Sequence, residues 1–317
     1  MMVADTVYGL ASSAHGTWYA ACGSGLLRSD DSGESWRDAL DTLPIAVPLP
    51  LTCVAATADG AIFAGAPGGI VVSLDAGATW SSVPFGSPPP FPATLAVSPD
   101  FAADGTVLAG SMEDGVFVSF DRGTTWQAWN IGLFDHSILC LAISPDFAHD
   151  GRVFAGCESG IFYSTNRGRF WHATDFPTEQ APVLSLAISP DFARDGTLFA
   201  GSATGCFISR DGGREWAATA LTEAVNALLI DPVFPAQPTL LALTDTALLR
   251  SDDGGSTWVV CEPGVAVAGE LTAVAAPAGP GAGQPLLIGT ADGVLQVVSL
   301  PATRGRVYCR AITACLS

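Results

Sequence analysis

The stretch Ser119-Phe120-Asp121-Arg122-Gly123-Thr124-Thr125-Trp126 decides the fold, because the chain repeats it. The pattern returns as Ser29-x-Asp31-x-Gly33-x-Ser35-Trp36, Ser73-x-Asp75-x-Gly77-x-Thr79-Trp80 and Ser251-x-Asp253-x-Gly255-x-Thr257-Trp258. It returns in altered form as Ser164-x-Asn166-x-Gly168-x-Phe170-Trp171 and Ser209-x-Asp211-x-Gly213-x-Glu215-Trp216. Successive tryptophans stand 44, 46, 45, 45 and 42 residues apart. A period of about 45 residues with short apolar runs and glycine turns is that of a propeller blade, one four-stranded sheet per repeat.

The fifth unit shows the strands most plainly. Val183–Ser189, Thr197–Gly201, Cys206–Ser209 and Glu215–Thr219 are short runs bounded by Gly, Pro or Asp, and are read as strands A to D from the centre outward. The B-to-C stretch recurs independently of the tryptophan turn at Ala20–Ser29, Ala64–Ser73, Ala109–Ser119, Ala155–Ser164, Ala200–Ser209, Leu241–Ser251 and Ile288–Ser299. The expectation is therefore an all-β, seven-bladed β-propeller forming one domain over residues 1–317. Its blades fall at about 3–40, 50–84, 93–130, 137–175, 182–220, 224–262 and 270–312. Either Arg306–Arg310 or the first few residues supply the last outer strand, and either route closes the ring, so that no apolar end face meets water.

The turn itself reads as a folding device. Glycine allows positive φ, the Ser hydroxyl and Asp carboxylate serve backbone groups that a tight turn leaves unpaired, and the Trp buries its ring. On these residues the chain resembles the Asp-box, or BNR, repeat of sialidases, sortilin-type receptors, xyloglucanases and photosystem II assembly factors. The structural positions are Asp31, Asp75, Asp121, Asn166, Asp211 and Asp253 with Trp36, Trp80, Trp126, Trp171, Trp216 and Trp258. A second signature, Ser-Pro-Asp-Phe-x-x-Asp-Gly at Ser98–Gly105, Ser144–Gly151 and Ser189–Gly196, falls in the A-to-B connection. Its paired carboxylates suit turn capping, with calcium as the alternative and no other cofactor expected.

With 31 acids against 13 bases the net charge is −18, and every base is Arg. Neutralising phosphates takes clustered cations, so no nucleic acid partner is expected; no apolar run reaches the ~18 residues of a membrane span. Met1–Asp5 lacks a basic n-region, which points to the cytoplasm. The 8 cysteines are scattered singly, Cys53 with Cys140 and Cys22 with Cys157 at equivalent positions, as small buried thiols are.

Strand alternation puts the A–B and C–D turns on one side of the disc and the B–C and D–A loops on the other. The resemblance implies that the second side is the functional one, since BNR enzymes carry the Asp-box opposite their catalytic face. That side collects Asp41, Glu113, Asp114, Asp135, His136, Glu158, Asp175, Glu179, Glu223, Asp245, Glu262, Glu270 and Asp292, relieved by Ile45, Phe85, Phe91, Phe134 and Phe176. It has no arginine, so the carboxylate-gripping cluster of sialidases has no counterpart; Tyr8, Tyr19, Tyr163 and Tyr308 all fall in strands, so neither does their tyrosine nucleophile. Sialidase activity is excluded. Another glycoside hydrolase or a lyase could use paired carboxylates, with Asp135, Asp175, Glu113 and Asp114 as candidates. Asp135-His136 is also the candidate metal pair, whereas His15, His149 and His172 read as surface residues.

The D–A loops are stiffened by Pro44, Pro48 and Pro50 and by Pro84, Pro88, Pro89, Pro90 and Pro92, and a stiff rim loses little entropy on docking. The reading favoured is a non-catalytic binding or assembly scaffold with a protein partner, touching it through Phe134, Asp135, His136, Asp114, Glu158, Asp175, Phe176 and Asp292. A carbohydrate-active enzyme and a calcium-braced lectin binding a glycan are the alternatives.

Overall fold

The computed structural model describes residues 5–13, 16–43, 49–86, 89–261, 270–276, 279, 285–293, 295–299 and 308–309. His15, Ile45, Glu262, Pro44, Pro48 and Pro88 lie outside them. Among the described residues, consecutive strands pair antiparallel into four-stranded sheets, seven in all, and no strand leaves its own run of sequence to join another sheet. Six sheets have their side chains described throughout their strands; in the last, Leu295–Ser299 and Tyr308–Cys309 are described by backbone pairing alone. The fifth repeat folds as Val183–Ile188, Leu198–Ser202, Gly205–Ser209 and Ala217–Ala218, within a residue or two of the expected strands. The exception is the outer strand, which holds only two residues because its Trp still belongs to the turn.

Each innermost strand touches the next around the axis, and Val7–Ser12 of the first sheet meets Leu271–Ala275 of the last. Of the two closure routes, the structure takes the first: Val7–Ser12 is an inner strand, and Tyr308–Cys309 pairs with Leu295–Ser299 as the outer one. The contact between sheets is tight where a second strand carries glycine. A Cβ on Gly156 would stand 2.8 Å from Val183 Cγ1, and one on Gly289 only 2.6 Å from Val7 Cγ1, so the same close approach recurs at the seam between first and last sheets. The cores follow these seams, for example Leu108, Val116, Val118, Ile138, Phe147 and Trp171 between the third and fourth sheets. Burying such side chains contributes roughly 1.5–3 kcal/mol each.

The repeated turns are built alike. Ser29 Oγ donates to Asp31 Oδ1 and accepts from Gly33 N, both at 2.8 Å, while Ser35 N donates to Asp31 Oδ1 at 2.8 Å. In the altered fourth turn Asn166 Oδ1 keeps these roles toward Ser164 and Phe170. Trp36, Trp126, Trp216 and Trp258 each return an indole N–H to the glycine carbonyl of their own turn. Trp171 instead donates across the seam to the Trp129 carbonyl at 2.9 Å and is fully buried.

Candidate functional site

Hydrogen bonds assign the two sides of the disc. Arg122 N donates to Gly105 O, Arg167 N to Gly151 O and Gly212 N to Gly196 O, tying each C–D turn to the A–B turn of its sheet. On the other side, Met112 N donates to Phe91 O, Gly115 N to His136 O and Ala203 N to Pro182 O, tying B–C turns to D–A loops. Among the described residues every arginine stands in or beside the first set of turns or on an outer strand, and none in the loops of the opposite side.

The segment Phe134–His136 bridges two B–C turns. Asp135 is the residue that fixes it: Oδ1 accepts Ser137 N at 2.9 Å and Oδ2 accepts Ser159 N at 2.7 Å. Asp5 holds Ser24 N in the same manner at the first sheet. With both oxygens engaged, the Asp135 carboxylate acts as a loop brace. His136 is exposed, and its carbonyl accepts from Gly115 N. Phe134, next in the chain to Asp135, is 89% exposed. Glu113, Glu158 and Asp292 are exposed at B–C turns, and Asp114 is half-buried with its carbonyl accepting from Asn130 Nδ2.

Three expected face residues stand elsewhere. Phe176 is buried, edge-on to Phe207 at 5.3 Å and to Trp216 at 5.5 Å, because the chain turns inward after Thr174 and fills the seam with an aromatic ring. Asp175 lines a groove with Arg152, Tyr163 and Arg214 between the fourth and fifth sheets, and is not brought to Asp135. The outer strand at His172–Ala173 is so short that Asp175 is still level with the neighbouring turn. Phe85 likewise stacks on Phe117 at 4.6 Å rather than standing free, whereas Phe91 is exposed.

The carboxylates of the A–B signature are engaged as well. Asp150 Oδ2 accepts from Ser144 Oγ at 2.7 Å and Oδ1 from Arg152 N at 2.8 Å, and Asp104 and Asp195 repeat the arrangement. No three His, Cys, Asp or Glu residues are grouped as metal ligands among the described residues. Side-chain hydrogen bonds from Ser35, Thr79 and Thr257 hold Asp31, Asp75 and Asp253 down to about 2. Burial pushes the thiols of Cys22, Cys53, Cys140 and Cys206 up to about 12, the opposite of an activated nucleophile. What sequence reasoning missed is the groove at Arg152; its signal is that Arg152 stands where the sister copies have Thr106 and Thr197.

No family model matches the chain, and no curated protein matches it. Solved structures do, at low identity. A GH74 enzyme from Niastella koreensis superposes with a TM-score of 0.80 at 15% identity, over 98% of this chain and 55% of that one. The GH74 xyloglucanase from Xanthomonas campestris gives 0.74 at 18%, over 99% and 55%. YCF48 from Cyanidioschyzon merolae gives 0.67 at 16%, over 93% and 95%, and a further structure shows YCF48 bound to a D1 peptide. The chain thus spans about half the length of these GH74 enzymes and matches YCF48 nearly end to end. These likenesses define the class: an all-β propeller with four antiparallel strands per blade. Its neighbours include both enzymes and proteins without a named activity.

Proposed function

We propose that this chain is a seven-bladed propeller of the BNR type, acting in the cytoplasm as a non-catalytic scaffold that presents its arginine-free loop side to a protein partner. The observation that carries the reading is the pair Phe134 and Asp135. A phenylalanine 89% exposed stands next to a residue whose carboxylate spends both oxygens on backbone N–H groups of the loop and of a neighbouring turn. Exposed aromatic anchors on a braced loop are what protein interfaces use, whereas hydrolysis of a glycoside needs two carboxylates left to face a substrate. Asp175, cast as the partner of Asp135 in such a reaction, lines a different groove. The turn geometry supports the BNR assignment, since Ser, Asp or Asn, and Gly carry the same hydrogen bonds in successive turns. Separate buried thiols support a reducing compartment. The end-to-end match to YCF48, seen with a bound peptide, supports peptide or protein binding over turnover.

The test pairs affinity capture on the intact chain with a chromogenic-glycoside screen. A stoichiometric partner retained by the wild type and lost with Phe134→Asp is the expected result. Glycoside turnover abolished by Asp135→Asn, with the fold intact, overturns the scaffold reading in favour of an enzyme.

A further inference from the structure

The seam between the fourth and fifth sheets differs from its sisters in two residues, Gly212 and Arg152. In the third and fourth sheets an arginine of the C–D turn lies over the phenylalanine of the A–B signature: Arg122 over Phe101 at 4.6 Å and Arg167 over Phe147 at 5.6 Å. The fifth sheet has Gly212 in that slot, at φ +80. Arg152, reaching over from the fourth sheet, covers Phe192 instead at 5.7 Å, its Nη1 standing 3.1 Å from where a Gly212 Cβ would be. Removing one side chain and importing another opens two contiguous hollows, of about 390 and 230 Å³, which share Arg152 and Gly212. Arg194 and Arg210 flank the first and Arg214 the second.

The charges there are unevenly matched. Elsewhere Arg28, Arg122 and Arg250 close on Asp30, Asp59 and Asp252 at 2.7–2.8 Å. In the groove Arg194 reaches Asp191 only at 3.8 Å, and among the described residues no carboxylate pairs with the guanidinium of Arg152, Arg210 or Arg214. Four of the five acids lining the groove are already committed, and the fifth, Asp175, is exposed at the edge of the second hollow. Asp150 and Asp195 hold their own turns, Asp211 accepts from Ser209 Oγ, Arg214 N and Glu215 N, and Asp146 holds His149. In a chain of net charge −18 with only 13 cationic side chains, the groove gathers four arginines beside five aspartates, and three of the four have no carboxylate partner among the described residues.

We propose that this groove binds a small molecule carrying two oxyanion groups, one in each hollow, with Arg152 between them. Planar guanidinium forks match phosphoryl and carboxylate oxygens alike, and the combined space is that of a small-ligand pocket. The site lies on the turn side of the disc, away from Phe134, so it stands or falls separately from the scaffold reading.

Titration calorimetry on the full chain at low ionic strength, with pyrophosphate and citrate as separate probes, tests it and tells phosphoryl from carboxylate preference. Saturable binding of at least one probe is expected. Loss of one charge-assisted contact weakens it about tenfold in Arg152→Gln and again in the double variant Arg210→Gln/Arg214→Gln, which leaves the Phe192 contact alone. Arg122→Gln, at a different seam and paired with Asp59, should stay within about twofold of the wild type. No binding of either probe at millimolar concentration, or wild-type affinity in the double variant, overturns the proposal; should Arg152→Gln not fold, the double variant alone decides.

Discussion

The Arg152 guanidinium of the fourth sheet lies over the Phe192 ring of the fifth at 5.7 Å, doing for its neighbour what Arg122 and Arg167 do within their own sheets. Because Gly212 vacates the usual slot, the contact has become a bond between sheets. Arg152→Gln should lower the unfolding free energy by about 1 kcal/mol, the value of a partly shielded cation–π contact. Adding Gly212→Arg in that background should recover part of the loss, since Arg122 and Arg167 occupy the same slot at φ 62 and 65. Urea midpoints of the single and double variants check both steps.

Acid should unfold the protein through its repeated turns. Asp31, Asp75 and Asp253 sit at about 2 in the folded chain against 3.8 for an unperturbed carboxyl, held there by hydroxyl and backbone donors. A folded value below the unfolded one means that their contribution is complete above about pH 4 and drains away as the pH falls toward 2. Urea midpoints measured from pH 7 down to 2 should stay level, so far as these groups decide, to about pH 4 and then drop. Asp253→Asn, which imitates Asn166, should reduce that drop.

Two phenylalanines about one repeat apart, Phe134 and Phe176, should respond in opposite ways. Phe176→Ala empties an aromatic cluster and should cost about 3–5 kcal/mol, whereas Phe134→Ala, at 89% exposure, should leave the thermal midpoint within the ±0.5 kcal/mol typical of surface changes. Thermal denaturation of the pair gives the comparison. A large destabilisation by Phe134→Ala would mean that the ring is packed in solution.

Cys22, Cys53, Cys140 and Cys206 should resist a thiol reagent at pH 8 in the native state and react once urea is added. Their thiols are pushed up to about 12 by burial and are shut away from solvent. Rapid native labelling of any of these, located by peptide mapping, would contradict the packing.

The propeller was legible in the sequence because its signal is repetition: a Ser-x-Asp-x-Gly turn every 45 residues or so fixes both strand order and period, and the observed sheets follow it. Loop positions were less legible, because which way a side chain points after a two-residue outer strand depends on the neighbouring sheet. Phe176 looked like a rim residue and is core; Asp175 looked like a partner of Asp135 and belongs to a different groove. The Asp135 brace could not be read at all, since its donor Ser159 lies 24 residues away. Arg152 did carry a signal, as an arginine where two sister repeats have threonine, but its meaning needed Gly212 in the next repeat to be seen beside it.

Every sheet being a meander of consecutive strands also bears on how the chain reaches this shape. Nearly all strand pairings join residues close in sequence, so each module can collapse as it forms, and low contact order of this kind favours rapid assembly for an all-β protein. Among the described residues, the long-distance event is the meeting of the first and last modules, where Val7 packs against Gly289. That encounter is the natural slow step, and a bulky residue at Gly289 should leave the modules formed but the circle unsealed.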